Sequence, residues 1–367
     1  MRVEVMIYIY GAVCASMIVF NMIYNLLLKS SEPRLNKRSQ KMARLIQLQI
    51  ERVRRGAVVE ESHIAYLRHK LRRIKNLIAF DRVLKPLVQD GMDPFLQDYL
   101  TQIQSVALYL GVVYGKRENT QAAYFSYILS RYMLQRHMDI QSIQEVLLDY
   151  VEKDNLYCRV NGLQALYAFG NVDHILTALK LQDSGEIFIH EKILTEGLLS
   201  FTGDHDALIH RLWDELSSFS EHTQLAILNY IRFQSGAYTC EMFAIMQNER
   251  MGKELRLAAI RYFGRYPYEP ALEPLLAFAE DSDPLKWEYT TVSVSALAGY
   301  SGERVIDALK NALHSANWYV RYAAAVSLEA LQVTYDDLID IMNGNDRYAR
   351  EMITYRLESR RMQKASV

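Results

Sequence analysis

Nine histidines and three cysteines are the residues of this chain that could hold a metal or pair a nucleophile with its base. Their spacing supports neither. His205 and His210 are five apart, and His190-Glu191 is not followed by a second histidine four residues on, so no helical face offers two imidazoles to one ion. Cys14, Cys158 and Cys240 are widely separated and no Cys-x-x-Cys occurs, which leaves neither a zinc site nor a disulfide framework. Glycine-rich phosphate loops and a Gly-x-Ser-x-Gly elbow are missing too, and Asp336-Asp337 fits the solvated first turn of a helix. The expectation is a non-enzyme with no catalytic residue, no metal and no cofactor.

Binding chemistry is better represented. Trp287 and Trp318 lie 31 residues apart among Tyr262, Tyr266, Tyr268, Tyr289, Tyr300, Tyr319 and Tyr322, and arginines recur nearby at Arg256 and Arg321. Exposed Trp, Tyr and Arg carry most of the energy of protein interfaces. Trp287, Trp318, Tyr322, Arg321 and Arg256 are therefore the candidate partner-binding residues. The competing structural reading places these aromatics in turns and uses the arginines, with Arg159, to bond carbonyls or the nearby Asp154, Asp283 and Asn317.

The elements that would position them repeat. Aligning 154–170, 252–264 and 315–331 puts Arg159, Arg256 and Arg321 in one slot, each followed seven residues later by Leu166, Phe263 or Leu328. The slot continues at Lys192, Gln224 and Thr290, whose partners seven residues on are Leu199, Ile231 and Leu297; successive steps are 33, 32, 32, 34 and 31 residues. An apolar stretch precedes each slot, so a unit reads as two short amphipathic helices, A then B, joined by a turn rich in Asp, Asn, Gly or Ser.

The pattern Asp/Asn…Val/Leu-Arg-x-x-Ala-x-x-x-Leu, clearest at Val320-Arg321-Tyr322-Ala323-Ala324 and Leu255-Arg256-Leu257-Ala258-Ala259, resembles the HEAT repeat. The short period resembles the variant of phycobilisome-lyase-type HEAT proteins. The resemblance covers about 139–360 and departs from the family at 191–199 and 290–297, where the basic residue is shifted or missing. It implies an all-α fold, an α-solenoid of HEAT-like helical hairpins that holds a protein partner. Two other functions follow from the resemblance alone: a lyase or small-molecule-binding modifying factor, and a nucleic-acid-binding HEAT module.

Composition agrees with a folded helical chain: 367 residues, half of them hydrophobic, with only 7 Pro and 16 Gly, exclude a disordered or collagenous protein. The net charge of −1 conceals a basic segment, 29–76, at +10 and an acidic body, 77–367, at −11. That acidic body argues against nucleic acid as a partner.

Ahead of the basic segment, 6–28 is a run of 23 residues without a charge, about 34 Å as a helix. It predicts a transmembrane helix over 1–29, retained as an anchor because a basic front end and a small-residue cleavage site are missing. Arg2 before the run and Lys29, Arg34, Lys37, Arg38, Lys41 and Arg44 after it predict an N-out/C-in orientation. Gly11 and Ala15, with Asn21 and Asn25, would form a face for an intramembrane partner. Beyond a helix break at Ser30-Ser31-Glu32-Pro33, juxtamembrane amphipathic helices over 30–78 would set Lys37, Arg38, Lys41, Arg44, Arg52, Arg54 and Arg55 against anionic lipid headgroups, because the tether holds them at a bilayer. Divergent helices at 79–138 would cap the solenoid, and the repeats would run from 139 to 367 with a C-terminal cap.

The combined expectation is a single-pass protein of a bacterial-type inner membrane, its body cytoplasmic. It would be a non-catalytic scaffold or adaptor for a protein partner, such as an envelope or exopolysaccharide glycosyltransferase, with no nucleic acid and no small-molecule substrate expected.

Overall fold

The computed structural model describes the backbone of residues 3–89, 91, 93–132 and 141–365, and the side chains of all of these but 3–7, 24–31, 141 and 357–365. Among the described residues there are twenty α-helices, five short 3-10 turns and no strand. They form two compact units, 1–188 and 189–367.

The first unit contains α1 (Val3–Arg54), α2 (Glu61–Leu71), α3 (Ile74–Gln89), α4 (Pro94–Gln102), α5 (Gln104–Gly115), α6 (Asn119–Tyr132), α7 (Gln141–Val151), α8 (Leu156–Phe169) and α9 (Val172–Asp183). α1 does not break at Pro33, where the sequence predicted it would. A proline inside a helix removes one backbone bond and crowds the preceding turn. Here Met42, Ile46, Ile50 and Val53 bury the following stretch of α1, which packs on α3 and α4, and Glu32 pairs with Arg82 at 2.7 Å beside the proline.

The predicted membrane span is overturned, and with it the N-out/C-in orientation and the single-pass inner-membrane placement with a cytoplasmic body. Among the described residues no helix is long and apolar enough to cross a membrane. The uncharged run is not a self-contained segment but one end of a 52-residue helix that goes on into charged, packed sequence. Its described side chains, 8–23, make about 24 Å of helix against a hydrocarbon core of ~30 Å, and they include Tyr8, Tyr10 and Asn21.

Tyrosine holds the first unit together. Tyr99, Tyr114, Tyr132 and Tyr150 are fully buried, yet each hydroxyl finds a partner on another helix. Tyr99 pairs with the ring of His63 at 2.9 Å; Tyr114 donates to the Leu71 carbonyl at 2.7 Å, Tyr132 to Asp81 at 2.6 Å, and Tyr150 to the Gly111 carbonyl at 2.6 Å. Each ring thus fills core volume while its polar tip ties two helices at a fixed separation. Gly111 eases the last tie: a Cβ there would lie 2.7 Å from Ile143 Cδ1, so that side chain would have to shift for α5 and α7 to keep their approach.

The second unit alternates A and B helices. The B helices are α10 (Glu191–Leu199), α12 (Glu221–Gln234), α14 (Lys253–Phe263), α16 (Trp287–Ala296), α18 (Trp318–Ala330) and α20 (Arg347–Ala365), and each packs on the next. The A helices α11 (His205–Asp214), α13 (Thr239–Gln247), α15 (Leu272–Ala279), α17 (Glu303–Ala312) and α19 (Ile339–Asn343) each pack on the B helix that follows. Caps set the starts: Asp204, Ser220 and Asn317 accept bonds from backbone N–H groups of the first turns of α11, α12 and α18. The row has its own cross-helix ties, from Thr195 to the Ala226 carbonyl at 3.1 Å and from Ser327 to the Val294 carbonyl at 2.9 Å.

Replacing Tyr150 by Phe removes the bond to Gly111 and keeps the ring. The expected loss is about 1–1.5 kcal/mol, read as a lower urea midpoint at unchanged slope, whereas Tyr157→Phe, at an exposed ring, leaves the midpoint in place.

Candidate functional site

In the B helices the slot residue stands four positions after the helix N-cap, and its side chain turns back onto the A–B turn. Arg159 follows Asn155 by four; its Nε donates to the Lys153 carbonyl at 2.7 Å and its Nη2 to that of Glu152 at 3.2 Å, while Nη1 reaches Gln182 at 3.3 Å. Arg256 donates to the Met246 carbonyl at 3.0 Å, Arg321 to that of Ser315 at 2.6 Å, and Gln224 to that of Phe219 at 2.7 Å. Thr290 reaches the Asp281 carbonyl at 3.5 Å. Each of these residues reaches at least one main-chain carbonyl left over where one helix ends and the next begins. Arg350 is a further member that the sequence alignment missed: it lies four residues after Asp346, whose carboxylate caps α20, and it donates to the Gly344 carbonyl. Counted from the N-cap His190, the α10 slot holds buried Leu194; Lys192 is solvent-facing and pairs loosely with Glu196.

Three of the five candidate binding residues come together between α18 and α20. Trp318, Arg321 and Tyr322 line a cleft of about 540 Å³ with Tyr348, Glu351, Met352 and Tyr355. Trp318 stacks on Tyr322 at 5.1 Å and 13°, and the Arg321 guanidinium lies 5.3 Å from the centre of the Tyr348 ring. Tyr348, Met352 and Tyr355 follow the 4–3 spacing of one helical face. Trp318 is 51% exposed, Tyr348 66% and Tyr355 64%, a concentration of apolar surface that the core does not use. The rim is charged: Arg356 pairs with Glu329 and stands over Tyr322 at 5.7 Å, and Arg347 pairs with Glu351 at 2.6 Å.

The other two lie elsewhere. Trp287 stacks on Tyr319 at 5.5 Å and lines a neighbouring cleft with Asp281 and Asp283, while Arg256 sits over the rings of Tyr289 and Phe278. Tyr348, Met352 and Tyr355 escaped the sequence reading because 347–361 reads as a charged capping helix. The spacing from Asp346 to Arg350 would have placed α20 in register with the other B helices.

The N-terminal candidates do not assemble into one site. Gly11, Ala15 and Asn21 lie on the exposed part of α1, with no other helix within 4 Å of a Cβ at Gly11, and the side chain of Asn25 is outside those described. Of the basic residues, Arg38 and Lys41 line a cleft of about 520 Å³ with Lys70, Arg73 and Lys75. Arg52 and Arg54 are instead neutralised by Glu60, Glu51 and Asp93, and Lys37, Arg44 and Arg55 point to solvent. The lipid assignment of these seven rested on the tether that the fold removes.

Residues 244–329 match the family model for HEAT repeats. No curated protein matches the chain. The matched stretch runs from within α13 into the last turn of α18 and holds the two clearest motifs, so HEAT repeats stand here among residues that, where described, are helical; HEAT repeats generally mediate protein–protein contact. Among the described residues no group of three His, Cys, Asp or Glu is placed to hold a metal ion. Cys158 is buried, which pushes its thiol up to about 11, whereas Cys14 and Cys240 are exposed.

Two outcomes follow. Arg159→Met strips three bonds from a buried position and lowers stability by about 1–3 kcal/mol in urea unfolding, while Lys192→Met changes it by less than ~0.5 kcal/mol. At pH 8 roughly one Cys158 in a thousand is thiolate, so iodoacetamide labels Cys14 and Cys240 in the folded protein and reaches Cys158 only in denaturant, as mass spectrometry would show.

Proposed function

We propose that the protein is a non-catalytic interaction scaffold whose HEAT region holds a protein partner at the aromatic cleft between α18 and α20. The observation that carries this reading is the exposure of Trp318, Tyr348 and Tyr355 on adjoining helices, interleaved with Arg321 and rimmed by ion pairs. A large aromatic anchor with a polar rim is the composition of an interface hot spot. Side chains that served only the fold would bury these rings, as the chain does with Tyr230 and Tyr262. The partner we favour is a protein presenting an apolar or aromatic anchor with adjacent carboxylates, which would meet the ring faces and the arginines of the rim. A membrane-bound glycosyltransferase loses its support, because that identity depended on the spanning helix and on Asn21 and Asn25.

The test is chemical crosslinking in the source cells followed by quantitative mass spectrometry of wild type and Trp318→Ala/Tyr348→Ala. Both rings are largely exposed, so the double variant keeps the wild-type melting temperature within a few degrees. One stoichiometric protein partner is expected with wild type, reduced at least tenfold by the double substitution. A partner retained at full yield by the variant would contradict the proposed site.

A further inference from the structure

A second cleft in the HEAT region has a different chemistry. At the C-terminal ends of α12 and α14, Arg232, Arg261 and Arg265 line a hollow of about 430 Å³ with Phe233 on one side and Gly264, Ser295 and Ala296 beneath. The Arg232 guanidinium lies 4.6 Å from the centre of the Phe233 ring and that of Arg265 lies 5.7 Å from it, so two cations share one ring. Gly264 lets the end of α14 pack closely on α16 at this point: a Cβ there would stand 3.1 Å from Ala296 Cα.

What sets this cleft apart is the missing countercharge. Among the described residues no carboxylate, carbonyl or hydroxyl oxygen accepts a hydrogen bond from any of the three guanidiniums, and the Arg232 Nε is buried without a partner. The slot arginines behave otherwise, each giving at least one bond to a carbonyl. Positive charge near a helix C-terminus is favourable by about 0.3–1 kcal/mol, which accounts for one arginine in each last turn. It does not account for three that converge. Burial, and then the charges of Arg261 and Arg265, hold the Arg232 guanidinium below its ordinary value.

We propose that this cleft is a binding site for a phosphomonoester group. A phosphomonoester carries close to two negative charges at neutral pH and three terminal oxygens, and Arg forks pair with such oxygens in bidentate fashion. Three guanidiniums around one hollow match that dianion in charge and supply donors enough for its three oxygens. A carboxylate brings half the charge and one oxygen fewer. Phe233 supplies an apolar wall for whatever the phosphate is esterified to, and its 41% exposure leaves that wall accessible. The site is separate from the aromatic cleft of α18 and α20 and stands whether or not that cleft binds a partner.

The test is isothermal titration of the full-length protein with phenyl phosphate, inorganic phosphate, benzoate and a single-stranded oligonucleotide at fixed ionic strength. Arg261→Gln/Arg265→Gln removes two of the three cations; Arg265→Gln alone alters only the most exposed one, should the double variant fold poorly. The control, Arg304→Gln/Lys192→Gln, removes the same charge at two exposed pairs elsewhere in the unit. Phenyl phosphate is expected to bind wild type and the control alike, at least tenfold more weakly to the double variant and several-fold more weakly to Arg265→Gln, and benzoate at least tenfold more weakly to wild type. Inorganic phosphate binding as tightly as phenyl phosphate would assign the site to free phosphate; tighter phenyl phosphate would assign it to an ester whose organic part packs on Phe233. Failure of both phosphate probes to bind, equal binding of benzoate, an equal loss in the control, or a single-stranded oligonucleotide bound more tightly than either probe would overturn the proposal.

Discussion

A helix pair cannot be buried unless the main-chain carbonyls at its turn find donors, and the structure depends on how this chain meets that requirement. In α8 and in every B helix but α10, the residue four positions after the N-cap folds back onto the preceding turn. Where it is Arg159, Arg256, Arg321 or Arg350, the guanidinium reaches one or more orphan carbonyls; Gln224 and Thr290 do the same with shorter side chains. With the turn closed, the two helices leave an apolar face that only a neighbouring pair can cover, which is why stacked units, not a single hairpin, are the stable object. The first unit relies more on buried tyrosines, whose hydroxyls tie one helix to another across 36 to 51 residues of chain.

The repeat was legible in the sequence because slot, apolar follower and turn residues lie within one unit and recur at a near-constant step. Val320-Arg321-Tyr322-Ala323-Ala324 and Leu255-Arg256-Leu257-Ala258-Ala259 both fall inside the stretch that matches HEAT repeats. The register failed at Lys192, where the alignment preferred a basic residue two positions early, although the cap at His190 places Leu194 in the slot. Charge count also misleads at the N-terminus, where the absence of Lys, Arg, Asp and Glu from 6–28 suggests a self-contained span. Helix continuity through Pro33 was illegible for the same reason as the tyrosine ties: it depends on contacts with α3 and α4, far along the chain.

The candidate site was half legible. Trp318, Arg321 and Tyr322 stand in one motif, so their common position on α18 was readable from spacing. Their companions on α20 belong to a helix whose dominant signal is charge, and the apolar spacing of Tyr348, Met352 and Tyr355 is hidden among Arg347, Arg350, Glu351 and Arg356. Nothing in the local pattern distinguished the arginines that close turns from Arg232, Arg261 and Arg265. That difference lies in whether an oxygen stands opposite the guanidinium, a property of tertiary packing.

The central proposal is that a protein partner sits at the aromatic cleft between α18 and α20. It is tested most directly by placing a photo-crosslinking phenylalanine analogue at Tyr348, and at exposed Ile193 as a reference in the same unit, and irradiating intact cells. The account predicts one discrete adduct from position 348 and none from position 193. No adduct from position 348, or the same adducts from both positions, would contradict it.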